Sequence, residues 1–433
     1  MFIIGMKGDV CMVLSLPKPV ETALSRLEAA GFAAYAVGGC VRDRVLGFTP
    51  HDYDICSAAT PEDTLRVFAG ERIIETGLKH GTVTVLLSGM PLEITTFRVD
   101  GAYSDGRHPD EVRFTARVED DLSRRDFTIN AMAYSPKEGL VDPFGGQKDC
   151  KSGVIRCVGN PAARFGEDAL RILRALRFSS RLGFPIEEAT AKAVREGRTQ
   201  LCHVSRERIA VELTGLLQGQ DAISVLWQFP EVIETVLPEL ARLMPGPDWE
   251  KTLLTVNAVP RDVFLRWAAF LRLCGTDAKD SAALAREILK SLKMSVKIMD
   301  TVAELVAWQD EELRPETLQE TLMRVGSERL GQLIPLRQAV RIAEQKESLE
   351  TIAQDTKTLK EKFDDLLREN ACYTLAQLAV NGKDMAALGL RGAEIGKTLQ
   401  GLLLQVVREQ LPNERDALLN AVKKDEKGLP HVM

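Results

Sequence analysis

No stretch of this 433-residue chain approaches the roughly 18 consecutive apolar positions that a membrane-spanning helix requires, so no span is expected. The first residues, MFIIGMKGDVCMVLSLPKP, are apolar but interrupted by Lys7, Gly8 and Asp9. They carry no basic leader and no small-residue cleavage site, which argues against a secretory signal. Histidine is scarce, with five residues, and the eight cysteines (11, 40, 56, 150, 157, 202, 274, 372) show no C-x-x-C spacing. A zinc site is therefore not expected, and the cysteines read as reduced thiols of a cytoplasmic protein. A metal-dependent phosphohydrolase built on His51-Asp52 fails for the same reason, since its ligands need further histidines at helical spacing. No fixed-period repeat or low-complexity tract is present. The net charge of −6 gives no global basic surface, but phosphate contacts depend on local patches. One such patch exists: from Arg164 to Arg208, ten Arg/Lys stand against six Asp/Glu.

What is present divides into two parts. In the first third, VETALSRLEAAG (20–31) has helical periodicity and ends on Gly31. AAYAV (33–37) reads as a short strand. TPED (60–63) places Thr60 at an N-cap, Pro61 at N1 and Asp63 at N3, the start of a helix. TVTVLL (82–87) and LEITTFR (92–98) alternate as two strands around a Ser-Gly-Met-Pro turn, and VDPFGG (141–146) is a tight turn. From about residue 153 strand signals fade and helical periodicity continues nearly to the end, with breaks at Pro230, Pro238, Pro245, Pro247, Pro260 and Pro335. The fold class is α+β: a small mixed sheet with helices against it, then an all-helical remainder.

Three constellations carry chemistry. Asp52 and Asp54 are alternate residues, so on a strand both carboxylates face one side. Glu93 lies on the second strand of the predicted hairpin; if that strand pairs beside the Asp52 strand, three acids line one face. Such acids repel, and a divalent cation such as Mg²⁺, which prefers oxygen ligands, is the natural compensation. Taken alone, an Asp-x-Asp also fits a surface turn. Gly38-Gly39 before a helix lets backbone N–H groups approach a phosphate, and the Arg42 fork lies within reach of triphosphate oxygens. In DLSRRDFTINAMA (121–133), Arg124 and Arg125 precede Asp126, and Asn130 falls four residues later. On a helix Asp126 and Asn130 share a face and offer a carboxylate and an amide to ribose or phosphate; a capping arrangement with a surface arginine pair is the other reading.

The third constellation is RFGEDALRILRALRF (164–178), in which Asp168 and Arg171 are i,i+3 on a predicted helix. Asp accepts hydrogen bonds and Arg donates a fork. Cytosine and adenine each present an amino donor beside a ring-nitrogen acceptor on their pairing edges, which such a pair satisfies. Uracil and guanine present a carbonyl and an N–H there, and each unmet buried group costs about 1–3 kcal/mol, roughly 10- to 100-fold. A local ion pair on a solvated helix is the alternative. Arg174 and Arg177 continue the series at three-residue steps, which suits a polyanion.

Together these stretches, VGGCVRD, DYD, KHGTVTV, EITTFRVDGAYSDGRHPDEVRF, RRDFTINAMA, DPFGG and RFGEDALRILRALRF, resemble the class II tRNA nucleotidyltransferases, that is, the bacterial CCA-adding enzymes and the related bacterial poly(A) polymerases. SRERIAVEL (205–213) and AVNGKDMAALGLRGAEIGKTL (379–399) extend the resemblance, which is dense over 30–215, thin over 216–370 and recovers over 379–415. It implies a catalytic head (1–152), a helical neck that recognises the base (153–215), a helical body (216–340) and a helical tail that binds tRNA (341–433). It also implies transfer of C, C and A from CTP and ATP to the 3′ end of tRNA without a nucleic-acid template, with Mg²⁺ as cofactor and no membrane partner. By position, Gly39, Arg42 and Arg125 would hold the triphosphate, and Asp52 and Asp54 the metal. Asp168 and Arg171 would read the base with Arg174 and Arg177 beside the nucleotide; Asp126, Asn130 and Glu93 complete the set. A poly(A) or A-adding enzyme of the same family is the nearest alternative, and a non-catalytic RNA-binding protein the alternative of another class. The segment 97–114 is present in full, and in the family its loss accompanies CC-only addition. Oligomeric state is not legible.

Overall fold

The computed structural model describes residues 2–4, 10–75, 77–78, 81–101 and 112–425. They form two compact units, residues 1–241 and 242–433.

In the first unit a strand pair, β1 (Phe2–Ile4) and β2 (Val10–Met12), precedes α1 (Lys18–Ala29). Val20, Ala23, Leu24 and Leu27 form the buried stripe of α1, and Gly31 turns the chain with φ +91°. Then come β3 (Ala34–Val37), α2 (Gly39–Val45), β4 (Asp54–Ser57) and α3 (Pro61–Val67). The predicted capping box at α3 forms: Thr60 Oγ1 accepts from the Asp63 N–H, and the Asp63 carboxylate accepts from the Thr60 N–H. β5 (Arg72–Ile74), β6 (Thr82–Leu87) and β7 (Met90–Thr96) follow. The β6–β7 connection is tighter than the four-residue turn expected. Ser88 (φ 50°) and Gly89 (φ 81°) make it alone, the two positive φ values of a turn whose twist matches the strands.

A separate pair, β8 (Arg98–Asp100) and β9 (Val112–Phe114), flanks residues 102–111, where the expectation about the 97–114 loop lies outside the described residues. α4 (Val118–Ser123), β10 (Ala133–Ser135), β11 (Gly139–Val141) and α5 (Gly146–Ser152) complete this part. Seven strands form one mixed sheet in the order β11-β10-β3-β4-β7-β6-β5, antiparallel throughout except for β4 and β7, which run parallel. One of its cores joins Tyr35, Val37 and Cys56 of the sheet to Phe97, Val118 and Leu122.

No strand follows β11 among the described residues. α6 (Pro161–Glu167), α7 (Leu170–Leu182), α8 (Glu188–Gly197) and α9 (Arg206–Leu217) are followed by helices Ala222–Gln228 and Pro230–Val236.

The second unit is helical, from Pro247–Ala258 to Arg415–Asp425. Pro247 opens its first helix, as expected, but Pro335 does not break one: it lies inside helix Ser327–Glu344. A proline removes one ladder hydrogen bond. Here Leu330, Leu333, Ile334, Leu336, Ala339 and Val340 are buried along the helix, and that packing outweighs the loss. Two cores are distinct, one around Leu318, Leu322, Ile334 and Leu359, the other around Met385, Leu402, Leu403 and Leu418. No described helix is long and apolar enough to cross a membrane, and the described cysteines are free thiols.

Candidate active site

The acids come together near the middle of the sheet, where β4 and β7 run side by side. Asp54 stands opposite Glu93 in the parallel register, on strands that lie about 4.8 Å apart. Asp52 just precedes β4; it and Asp54 face solvent while Tyr53 and Ile55 are buried, which is the alternation read from the sequence. Although Asp54 is open to solvent, the chain packed around it partly desolvates its carboxyl and raises it from its ordinary value; Glu93 adds repulsion, Arg125 opposes both, and Asp52 contributes a further rise. Repulsion of this kind is the signature of a site that takes a cation. No three His, Cys, Asp or Glu side chains among the described residues form a ready-made metal cage. Asp52 and Asp54 offer the one or two carboxylates that a hard divalent cation combines with substrate phosphates and waters.

Next to the acids, the chain leaves β3 and turns into α2 at Gly38, whose φ is +79°. A Cβ there would lie 2.8 Å from Arg125 Nη1, so the glycine both adopts the left-handed region and leaves room for that guanidinium. Arg125 Nη2 donates to Asp121 at 3.2 Å, while its Nε is buried without a hydrogen-bond partner. Asp121 also accepts from Arg124 Nη2 at 2.8 Å. Although fully buried, Asp121 is held below its ordinary value, because Arg124 and Arg125 outweigh the burial.

Arg42 is almost fully buried, and its guanidinium begins a chain of polar contacts. Nε and Nη2 donate to Asp43 at 2.8 and 2.7 Å, and Nη1 donates to Asn130 Oδ1 at 2.7 Å. Asn130 Nδ2 in turn donates to Asp126 at 3.1 Å, and Arg174 binds the other Asp126 oxygen at 2.7 Å. Burial works to raise the Asp126 carboxyl, but Arg174, Asn130 and the Phe127 N–H hold it down at about 2. The expected one-helix arrangement of Asp126 and Asn130 is corrected: Phe127 is extended and only Thr128–Asn130 form a short 3-10 turn. The two side chains still meet: Asp126 Oδ1 accepts from both the Phe127 N–H at 2.8 Å and Asn130 Nδ2 at 3.1 Å.

α7 and α9 finish the site. Arg174 and Arg177 of α7 both reach Glu212 of α9, at 3.7 and 2.5 Å. Arg42, Arg174 and Arg177 all place their guanidinium carbons 4.7–5.2 Å from the Phe178 ring centre. Asp168 and Arg171 do not share a helix as expected. Asp168 lies in the break between α6 and α7 with extended backbone (φ −145°, ψ 104°), since its Oδ1 caps the Leu170 N–H at 3.0 Å. Its Oδ2 accepts from Arg208 Nη2 at 2.7 Å. Arg171 pairs with Glu167 at 2.5 Å and donates to the Arg164 and Arg124 carbonyls, both at 3.1 Å. Asp168 and Arg171 do not form the local ion pair that was the alternative to base reading; Asp168 is anchored by Arg208 and Arg171 by Glu167.

Sequence reading did not single out Asp43, Asp121, Glu167, Phe178, Arg208 or Glu212. Arg208 and Glu212 were visible as two charges at i,i+4 in SRERIAVEL, but their partners lie on other elements.

The comparisons with known proteins agree along the chain. Residues 34–156 match the poly A polymerase head domain, 183–244 the RNA and SrmB-binding site of polymerase A, and 261–422 domain 2 of tRNA nucleotidyltransferase. The CCA-adding enzyme of Lacticaseibacillus paracasei is 36% identical over 92% of this chain and 93% of its own. That of Geobacillus kaustophilus is 35% identical over 92% and 96%. The crystal structure of the Bacillus stearothermophilus CCA-adding enzyme in complex with CTP superposes with a TM-score of 0.77 and 31% identity, covering 96% of this chain and 100% of that one. With relatives 35–36% identical and spanned nearly end to end, the chain belongs to the CCA-adding enzyme family.

Proposed function

We propose that this protein adds C, C and A in turn to the 3′ end of tRNA, taking CTP and ATP as donors and releasing pyrophosphate, without a nucleic-acid template. The observation that carries this reading is the register of β4 and β7, which sets Asp54 beside Glu93 and next to Asp52, within the field of the Arg125 charge that packs on the Gly38 turn. Membership of a nucleotidyltransferase family brings divalent-cation use with it, and we assign Mg²⁺. Asp52 and Asp54 would hold it, with Glu93 strengthening the negative field. When bound there, the ion compensates the triphosphate charge and acidifies the primer 3′-hydroxyl.

The protein's own groups do the rest. Arg125, whose Nε lacks a partner, supplies positive charge for the β- and γ-phosphates beside the Gly39 backbone, and Arg42, buried against Asp43 and Asn130, supports that charge from beneath. The primer 3′-oxygen attacks the α-phosphorus in line, the Pα–O bond to the β-phosphate breaks, and pyrophosphate departs toward the arginines. Asp126 and Asn130 hold Arg42 and Arg174 in place. Asp168 accepts from the base amino group and Arg171 donates to the neighbouring acceptor. The head, neck, body and tail limits at 152, 215 and 340 belong to the same proposal, with the tail binding tRNA and the enzyme working in the cytoplasm.

The test is incubation of the purified chain and Mg²⁺ with tRNA lacking CCA, offering each nucleoside triphosphate singly and then CTP with ATP. Addition of three nucleotides, stopping after A, is expected. Long A tails from ATP alone would replace this reading with the poly(A) polymerase one.

A further inference from the structure

We propose that Phe178 of α7 is a positioning residue for the triphosphate: its ring holds the Arg42 guanidinium in place beneath the Gly39 turn. The inference rests on the reading of that turn, with Arg125 and Arg42, as the triphosphate site. Phe178 is 5% exposed and stands four residues after Arg174 on α7. Two side chains from outside α7 reach it. The Phe127 ring lies 5.8 Å away, centre to centre, with its plane turned by 78°, and the Arg42 guanidinium carbon lies 5.2 Å from the ring centre. An aromatic ring attracts both neighbours through its quadrupole, a perpendicular ring and a cation over its face. A Cβ added to Gly39 would lie 3.7 Å from Arg42 Nη2. The guanidinium therefore touches both the ring and the backbone offered to the phosphates, and a shift of Arg42 is felt there.

Arg42 depends on the ring more than its neighbours do. The Arg174 and Arg177 guanidinium carbons lie 5.2 and 4.7 Å from the same centre. Each of them also pairs with a carboxylate on another element, Asp126 and Glu212. The carboxylate that pairs with Arg42 is Asp43, the next residue along α2, which moves with it and does not tie it to α7. Asn130 accepts from Arg42 Nη1 at 2.7 Å, and through Asn130, Asp126 and Arg174 a chain of contacts returns to Phe178. The ring closes that circuit. A leucine would fill most of the space without attracting the cation, so Arg42 would keep its hydrogen bonds and lose the contact that fixes it against α7.

The experiment replaces Phe178 by mono-, di- and trifluorinated phenylalanine, which keep the shape of the ring while draining charge from its face, and by Leu. KM and kcat for CTP and ATP, and the use of UTP and GTP, are measured on tRNA lacking CCA. Stepwise fluorination is expected to raise KM for CTP and ATP alike, reaching about fivefold with the trifluorinated ring, the weight of one buried cation–ring contact. The share of UTP and GTP incorporated is expected to stay at the wild-type level. In an Arg42→Gln background, which leaves the ring no charge to hold at that position, the same series is expected to leave KM flat. A KM that rises with Phe178→Leu yet stays flat along the fluorinated series marks the ring as packing and overturns the proposal. So does a series that raises UTP and GTP use at unmoved KM, which assigns the ring to Arg174, or one that raises KM equally in the Arg42→Gln background. Should Arg42→Gln fail to fold, the fluorinated series decides alone. Wild-type protein that adds no nucleotide removes the functional reading itself, whereas wild-type CCA addition with a flat series removes this inference and leaves that reading standing.

Discussion

Arg42 and Asn130, 88 residues apart, are joined by a 2.7 Å hydrogen bond inside the head. The contact ties the helix after β3 to the short turn before β10. It also places a charge in a nearly water-free position, where Asp43 supplies its counter-ion. Arg42→Ala strands that carboxylate and the Asn130 oxygen, and about 3–5 kcal/mol of stability should go with it. Urea unfolding of the first unit checks this; a midpoint within error of wild type would refute it.

Asp126 predicts a pH dependence. Its folded value of about 2 lies below the 3.8 of an ordinary aspartate, so it favours the folded state on the order of 2 kcal/mol above about pH 4. That contribution is lost as the pH falls through 2, when the acid protonates and its ion pair with Arg174 goes. Asp121 acts with the same sign through Arg124 and Arg125. In denaturation curves at stepped pH, Asp126→Asn should show a shallower loss between pH 4 and 2 than wild type.

The acids of the site predict the opposite balance. Asp54 is held above its ordinary value by partial desolvation and by Glu93, so its charge opposes folding when no cation is present. Asp54→Asn should therefore raise the melting temperature in EDTA while abolishing nucleotide transfer. A lower melting temperature would show that the acids are satisfied without a metal.

Much of this site was legible because local rules and global fold agree there. Alternation put Asp52 and Asp54 on one face, and the hairpin pattern carried Glu93 to the strand that pairs with theirs. The Thr60 cap followed from four residues alone. What the sequence did not show were relations between distant elements. β10 and β11 are three residues each; β10 forms by pairing with β3, and β11 by pairing with β10. Pro335 reads as a break, yet packing on both sides carries its helix through. Asp168 reads as helical by spacing, but its carboxylate competes for a backbone N–H and ends the ladder. Arg208 and Glu212 needed partners on other segments before their charges meant anything.

Gly38 gives a stringent local check. Alanine there must sit at positive φ, at about 1–2 kcal/mol, and its methyl would press on Arg125 Nη1. Gly38→Ala is expected to raise KM for both CTP and ATP through the displaced guanidinium, and with the fold intact by circular dichroism. Unchanged KM values would remove Arg125 from the triphosphate site.

The division of labour between acids and base-readers is the core of the account. It is tested most directly by comparing Asp52→Ala with Asp168→Ala on tRNA lacking CCA, with all four nucleoside triphosphates present and the product ends sequenced. The account predicts no transfer of any base by Asp52→Ala, and continued transfer with mixed bases by Asp168→Ala. Retained CCA addition by Asp52→Ala, or unaltered C, C, A ends from Asp168→Ala, would contradict it.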